Sequence, residues 1–259
     1  MLDVLPVRAF RDNYIWLLRA PADASQVVAV DPGDAAPVLA ALDDHGLRLG
    51  GILITHHHWD HTNGIEALLA KFPVPVIAPA DEQQRITGYT ELVRQGDTAA
   101  FPALGLKFDV LDVRGHTAGH VAYVGHGAVL CGDALFSAGC GRLFEGTPAQ
   151  MRASLEALAA LPGDTRVYCT HEYTQSNLAF AAVVEPDNEA IASHAEHVAA
   201  LRRADKPSLP STIALERQIN PFLRCNEPAV RRAAESQANT ALADTTAVLA
   251  EIRRWKDHF

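Results

Sequence analysis

The run THHHWDHTNG, residues 55–64, places His56, His57, His58, Asp60 and His61 within six positions, directly after the apolar run GILI. Neutral imidazole and carboxylate are the common ligands of zinc and its first-row neighbours, and here they read HxHxDH. Positions two apart on an extended chain share a face, so His56 and His58 can grip one cation together. Asp60 and His61 fall where the chain turns into a helix predicted to begin near Thr62, and they are expected to face a second cation. By the same alternation His57 and Trp59 point elsewhere, into packing or support of the ligands. Four of the chain's 12 histidines lie in this stretch, which argues against accidental clustering.

Four ligands do not complete two sites. Three more residues of metal-binding type each follow a β-rich run: His116 after LKFDVLDV, Asp133 in CGDALF after AVLC, and His171 in CTHEYT after RVYC. Strand ends gathered at one sheet edge would join them to the cluster. The expected assignment gives one cation His56, His58 and His116, and the other Asp60, His61 and His171, with Asp133 bridging. Such a site stays positive after Asp60, Asp133 and a shared hydroxide are counted. It would generate a nucleophile at neutral pH and hold the oxyanion formed on attack. Asp60 and Asp133 are thus expected in the catalytic centre as well as in the ligand set. Imidazole and carboxylate with no thiolate accept zinc, iron or manganese in an order that availability and geometry settle; two divalent ions are expected, zinc first, with iron or manganese as alternatives.

The elements that must position these residues are short β-rich runs at 26–31, 51–55, 74–79, 106–113, 120–125, 128–133 and 166–169, bounded by Gly, Pro and Asp. Helices intervene. One starts at Asp34 and stops at Gly46, one follows the histidine cluster, and one has Thr147 as N-cap with Pro148 at its first position. After residue 174 strands are expected to vanish, leaving helices at 176–184, 187–205, 227–237 and 239–257.

The 259 residues suffice for a substantial core without disulfides. Cys131, Cys140, Cys169 and Cys225 form no CxxC pair, and the opening MLDVLPVRAFRDNY has no apolar h-region, so reduced thiols in a cytoplasmic protein are expected. No apolar stretch approaches the roughly 20 residues of a membrane span. The net charge of −9 opposes a nucleic-acid partner. A monomer is expected. Cys140 has no evident base at nucleophile spacing, and a structural thiol is the expectation there.

HxHxDH with its later partners resembles the metallo-β-lactamase superfamily. The resemblance implies an α+β fold, an αββα sandwich, followed here by a smaller all-helical C-terminal domain, with a catalytic domain at 1–174 and a substrate-binding domain at 175–259. Superfamily members include thioesterases, lactamases, phosphodiesterases and nucleases, so fold alone leaves the substrate open. Together THHHWDHTNG, GHTAGH, CGDALFSAGCGRLFEG, THEYT, PSTIALERQINPFLR and RRWKDHF are similar to the glyoxalase II, or hydroxyacylglutathione hydrolase, family. That family hydrolyses the thioester S-D-lactoylglutathione to D-lactate and glutathione in methylglyoxal detoxification. The resemblance implies glutathione binding by Arg142, Tyr173, Arg253 and Lys256. Where the family commonly has a tyrosine, this chain has Phe144, which keeps the aromatic face and loses the hydroxyl, so weaker binding is expected from that position. A phosphodiesterase or nuclease of the same fold is the alternative, opposed by the acidic charge.

Overall fold

The computed structural model describes residues 2–259. The chain divides into two compact units, Met1–Asp112 with Ala118–Gly132, and Val113–Thr117 with Asp133–Phe259.

The first unit runs β1 (Val4–Ala9), β2 (Asn13–Arg19), β3 (Gln26–Val30), α1 (Ala35–Asp44), β4 (Arg48–Leu53), α2 (Trp59–Thr62), α3 (Ile65–Leu69), β5 (Val76–Pro79), β6 (Glu91–Val93), β7 (Thr98–Phe101), β8 (Leu106–Asp112), β9 (Val121–Gly125) and β10 (Ala128–Gly132). Strands β1 to β6 form one sheet in sequence order. The β1–β2–β3 portion is antiparallel, whereas β3, β4, β5 and β6 are parallel, in register through Val30, Leu53 and Ile77. Parallel strands all point their C-terminal ends the same way, so the loops after β3, β4 and β5 leave from one edge. Strands β7 to β10 make an antiparallel meander.

Helices α1 and α3 cover the first sheet. Val38, Leu42, Ile65 and Leu68 pack with Val27, Ala29, Ile52, Ile54, Val76 and Ala78 in one buried cluster. Each buried Val, Leu or Ile among them contributes about 1.5–3 kcal/mol. Asp34 caps α1 by accepting from the Ala36 N–H, and left-handed Gly46 follows the helix end.

The second unit contains a small hairpin, β11 (Leu135–Phe136) and β12 (Gly139–Cys140), then α4 (Pro148–Ala159), β13 (Arg166–Cys169), α5 (Thr174–Val184), α6 (Glu189–Arg203), β14 (Ser211–Thr212), α7 (Ile213–Ile219), α8 (Pro228–Ala238) and α9 (Thr245–Asp257). Thr147 and Gln150 close a capping box on α4, whose first residue is Pro148.

Three features depart from the sequence expectation. A strand does occur after residue 174, because β14 pairs antiparallel with β13. Helix α7 falls at 213–219, where no helix was expected, and is capped by Thr212, which accepts from the Leu215 N–H. The last helix begins at Thr245 rather than 239, because left-handed Asn239 terminates α8 and Asp244 supplies a new N-cap.

Candidate metal centre

In the first unit the three parallel strand ends deliver polar groups together. Beyond β3 lies Asp31, beyond β4 the histidine run, and beyond β5 Glu82. The Asp31 carboxylate accepts from both the N–H and the hydroxyl of Thr55, each at 2.7 Å. It also lies 3.1 Å from Nδ1 of His61, which turns the other ring nitrogen toward Asp60, 3.7 Å away. Nε2 of His56 lies 3.0 Å from Nδ1 of His58, the convergence expected of alternate residues on an extended chain. Asp31, His56 and His61 offer ligand atoms within 4.8 Å of one another.

Asp60 is fixed by the Asn13 side-chain amide, which donates to it at 3.0 Å. Asp60 and His61 already lie in α2, which begins at Trp59, three residues earlier than expected. His57 points away from the ligands. Its Nδ1 meets Glu82 at 2.8 Å, and Glu82 also accepts from the backbone N–H groups of His57 and Gly119. Trp59 is exposed, edge-on to Phe10. Two glycines permit the close packing: a Cβ on Gly33 would stand 1.8 Å from the Asp60 carbonyl oxygen, and one on Gly132 would stand 2.3 Å from the Thr55 hydroxyl.

The second unit brings His116, Asp133 and His171 together. One oxygen of Asp133, Oδ2, lies 3.5 Å from Nε2 of His116 and 3.3 Å from Nε2 of His171. His116 directs its other nitrogen, Nδ1, at the Arg142 carbonyl, 2.9 Å away, which fixes the tautomer that leaves Nε2 as a lone-pair donor. Gly141 is required here, since its Cβ would stand 2.0 Å from the Asp133 carbonyl oxygen. A carboxylate oxygen facing two imidazole nitrogens, all three groups buried, has the chemistry of a bridging metal ligand. Among neutral alternatives the arrangement would leave costly buried polar groups.

The residues expected to bind substrate sort around this trio. Phe144, exposed, stands edge-on to His116 with ring centroids 5.3 Å apart. Tyr173 stacks on His171 at 4.7 Å with the rings 6° from parallel. Arg142 and Arg253 share Asp257, at 3.5 and 3.1 Å. Lys256 is half-buried over the Phe180 and Phe259 rings and donates to the Ser176 carbonyl. Its pKa is lowered, first by burial and then by the Arg253 and Arg142 charges. Three cations with one carboxylate form a locally positive cluster on an acidic chain. Arg253 differs from its partners in being buried, and it donates to the Cys140 carbonyl at 2.7 Å. Cys140 itself is buried, its thiol pushed up to about 11 by burial, which keeps it protonated and inert at neutral pH.

Sequence reasoning missed Asp31, Glu82, Asn13 and Thr55. Asp31 ends the run QVVAVD, and its position after a strand was the available signal.

The metallo-beta-lactamase superfamily model matches residues 9–171, and the hydroxyacylglutathione hydrolase C-terminus model matches residues 172–259. A hydroxyacylglutathione hydrolase of Cupriavidus taiwanensis is 54% identical over the full length of both chains. One from Nitrosomonas eutropha is 49% identical, again over both full lengths. Among solved structures, ETHE1 from Myxococcus xanthus aligns with a TM-score of 0.65 at 23% identity, covering 99% of this chain and 98% of its own. The BLEG-1 B3 metallo-beta-lactamase aligns at 0.64 and 22% identity, covering 86% and 99%. These two show the fold, that of the metallo-beta-lactamases, which in this chain is followed by a helical C-terminal domain. With both family models in tandem and full-length relatives near half identity, the chain belongs to the hydroxyacylglutathione hydrolase family.

Proposed function

We propose that the protein hydrolyses S-D-lactoylglutathione and related 2-hydroxyacylglutathiones to the hydroxy acid and glutathione at a centre of two divalent metal ions. In this reading His56, His58 and His116 would hold one ion, Asp60, His61 and His171 would hold the other, and Asp133 would be shared between them. The observation that carries it is the Asp133 carboxylate, with one oxygen facing Nε2 of both His116 and His171. The bound ions would supply Lewis acidity and a nucleophile at neutral pH. Zinc is the first expectation, with iron or manganese next.

The chain's own residues do the rest. Asp31 orients His61, Asn13 orients Asp60, and the Arg142 carbonyl orients His116. Tyr173 and Phe144 offer aromatic faces beside two of the ligands, while Arg142 and Lys256, backed by the buried charge of Arg253, attract the glutathione carboxylates. The leaving thiolate has a conjugate acid of pKa about 8.5, so it departs without a strong general acid. The reading assigns catalysis to residues 1–174 and substrate binding to 175–259, in a cytoplasmic monomer that uses neither nucleic acid nor membrane. No helix among the described residues is long and apolar enough to cross a membrane.

The test compares turnover of S-D-lactoylglutathione with that of bis(p-nitrophenyl) phosphate. Rapid, chelator-sensitive thioester hydrolysis supports the proposal. Preferential phosphodiester cleavage would assign the centre to phosphoryl chemistry instead.

A further inference from the structure

Between Asp133 and Arg142 the chain makes the β11–β12 hairpin, and several backbone polar groups at and beside its tip are taken by side chains from the C-terminal helices. The Asn177 amide, on α5, donates to the Ser137 carbonyl at 3.0 Å. Asn220, which ends α7, donates to the carbonyls of Phe136 and Gly139 at 3.1 and 2.9 Å. Glu216, on α7, accepts from the Ala138 N–H at 2.8 Å, and Arg253 on α9 donates to the Cys140 carbonyl. Ala138 has the left-handed φ of 56° that non-glycine residues avoid. Its methyl group is buried with Leu178, Ala181, Ile191, Val198 and Ile219 of the helical core.

Glu216 is the hub. It is fully buried, and besides Ala138 it holds the Ser211 hydroxyl and the Asn220 amide. A buried carboxyl with no mechanistic task is costly unless its bonds fix something. What these bonds fix is a short, strained link between Asp133 and Arg142. We propose that Glu216, with Asn220 and Asn177, is a positioning residue that locks the 134–141 segment and thereby sets Asp133 in its metal-bridging pose. The helical C-terminal region then helps to build the metal centre as well as the substrate site. This rests on Asp133 being a ligand, as proposed above.

Glu216→Gln is the conservative variant, because one amide oxygen can accept from Ala138 and Asn220 while the amide nitrogen donates to Ser211, whose hydroxyl reverses. Burial already pushes the Glu216 carboxyl above its usual range, opposed by these same hydrogen bonds, so the neutral isostere suits the site. Glu216→Leu keeps bulk and removes every acceptor. Val198→Ala, in the same helical core, controls for general destabilisation.

Metal-loaded proteins are dialysed against a chelator, and metal content is followed together with amide hydrogen exchange at residues 136–140. Glu216→Leu should lose metal at least tenfold faster than wild type, with faster exchange at 136–140. Glu216→Gln should stay within about twofold of wild type on both, and Val198→Ala should lower the melting temperature without faster metal loss. If Glu216→Leu fails to fold, Asn220→Ala, which deletes the bonds to Phe136 and Gly139, must show the same metal loss. Metal retention in either variant equal to that of Val198→Ala, or failure of Glu216→Gln alongside Glu216→Leu, overturns the proposal. A wild type that holds two ions but spares the thioester refutes the substrate reading and leaves this comparison intact.

Discussion

Asp133 and Cys140 lie seven residues apart, one before β11 and the other in β12, and chemistry separates them sharply. Asp133 Oδ2 faces two imidazole nitrogens, whereas the Cys140 thiol is buried and held protonated, its pKa pushed up to about 11. Asp133→Ala should lower kcat/KM by about a thousandfold or more, the several kcal/mol that a lost metal-held nucleophile costs. Cys140→Ala should stay within a few-fold of wild type in the same steady-state assay. Lys256 makes a second case at this scale. Its pKa is lowered by burial and by two arginines, so its charge is present below that pKa and is lost as pH rises through it. The KM for a glutathione thioester should therefore begin to climb at a lower pH than an ordinary lysine would produce. Lys256→Arg, which keeps its proton throughout, should abolish the climb in a pH series. A thioester lacking the glycine carboxylate should show none. Lys256 is a cleaner probe than Arg253, because truncating Arg253 also releases the Cys140 carbonyl.

The elements explain why some of this was legible in sequence and some was not. HxHxDH is local: its successive ligands sit one or two residues apart, and a strand followed by a helix turns that spacing into geometry. Thr147 and Pro148 likewise announced α4. Strand β2, by contrast, is buried along six consecutive residues and reads as an apolar run whose periodicity separates strand from helix poorly. Asp31 and Glu82 escaped notice because their partners, Thr55 and His57, lie 24 and 25 residues away, and no spacing rule links a lone carboxylate to a strand pairing. Helix α7 was hidden by the prolines around it, since its nucleating cap is a single threonine. The same loops yield a prediction. Gly33→Ala places a methyl carbon 1.8 Å from the Asp60 carbonyl, so it should displace Asp60 and reduce both metal content and turnover by at least tenfold. Gly46→Ala meets nothing within 4 Å and strains only a left-handed φ of 61°. It should cost about 1–2 kcal/mol, a shift of a few degrees in a thermal melt, with unchanged metal content.

At the scale of the whole molecule, the net charge of −9 makes the Arg142, Arg253 and Lys256 cluster a local exception, suited to a small anionic ligand and poorly suited to a polyanion. The cluster and the histidine-rich centre together account for a glutathione thioester: carboxylates to be held and a carbonyl to be attacked. The most direct test strips the purified chain with a chelator and follows S-D-lactoylglutathione hydrolysis as zinc is returned in measured equivalents. The rate should rise to a plateau at two equivalents per chain, with bis(p-nitrophenyl) phosphate remaining near background throughout. A plateau at one equivalent, a rate indifferent to metal, or phosphodiester turnover matching that of the thioester would rule out a dinuclear thioesterase centre.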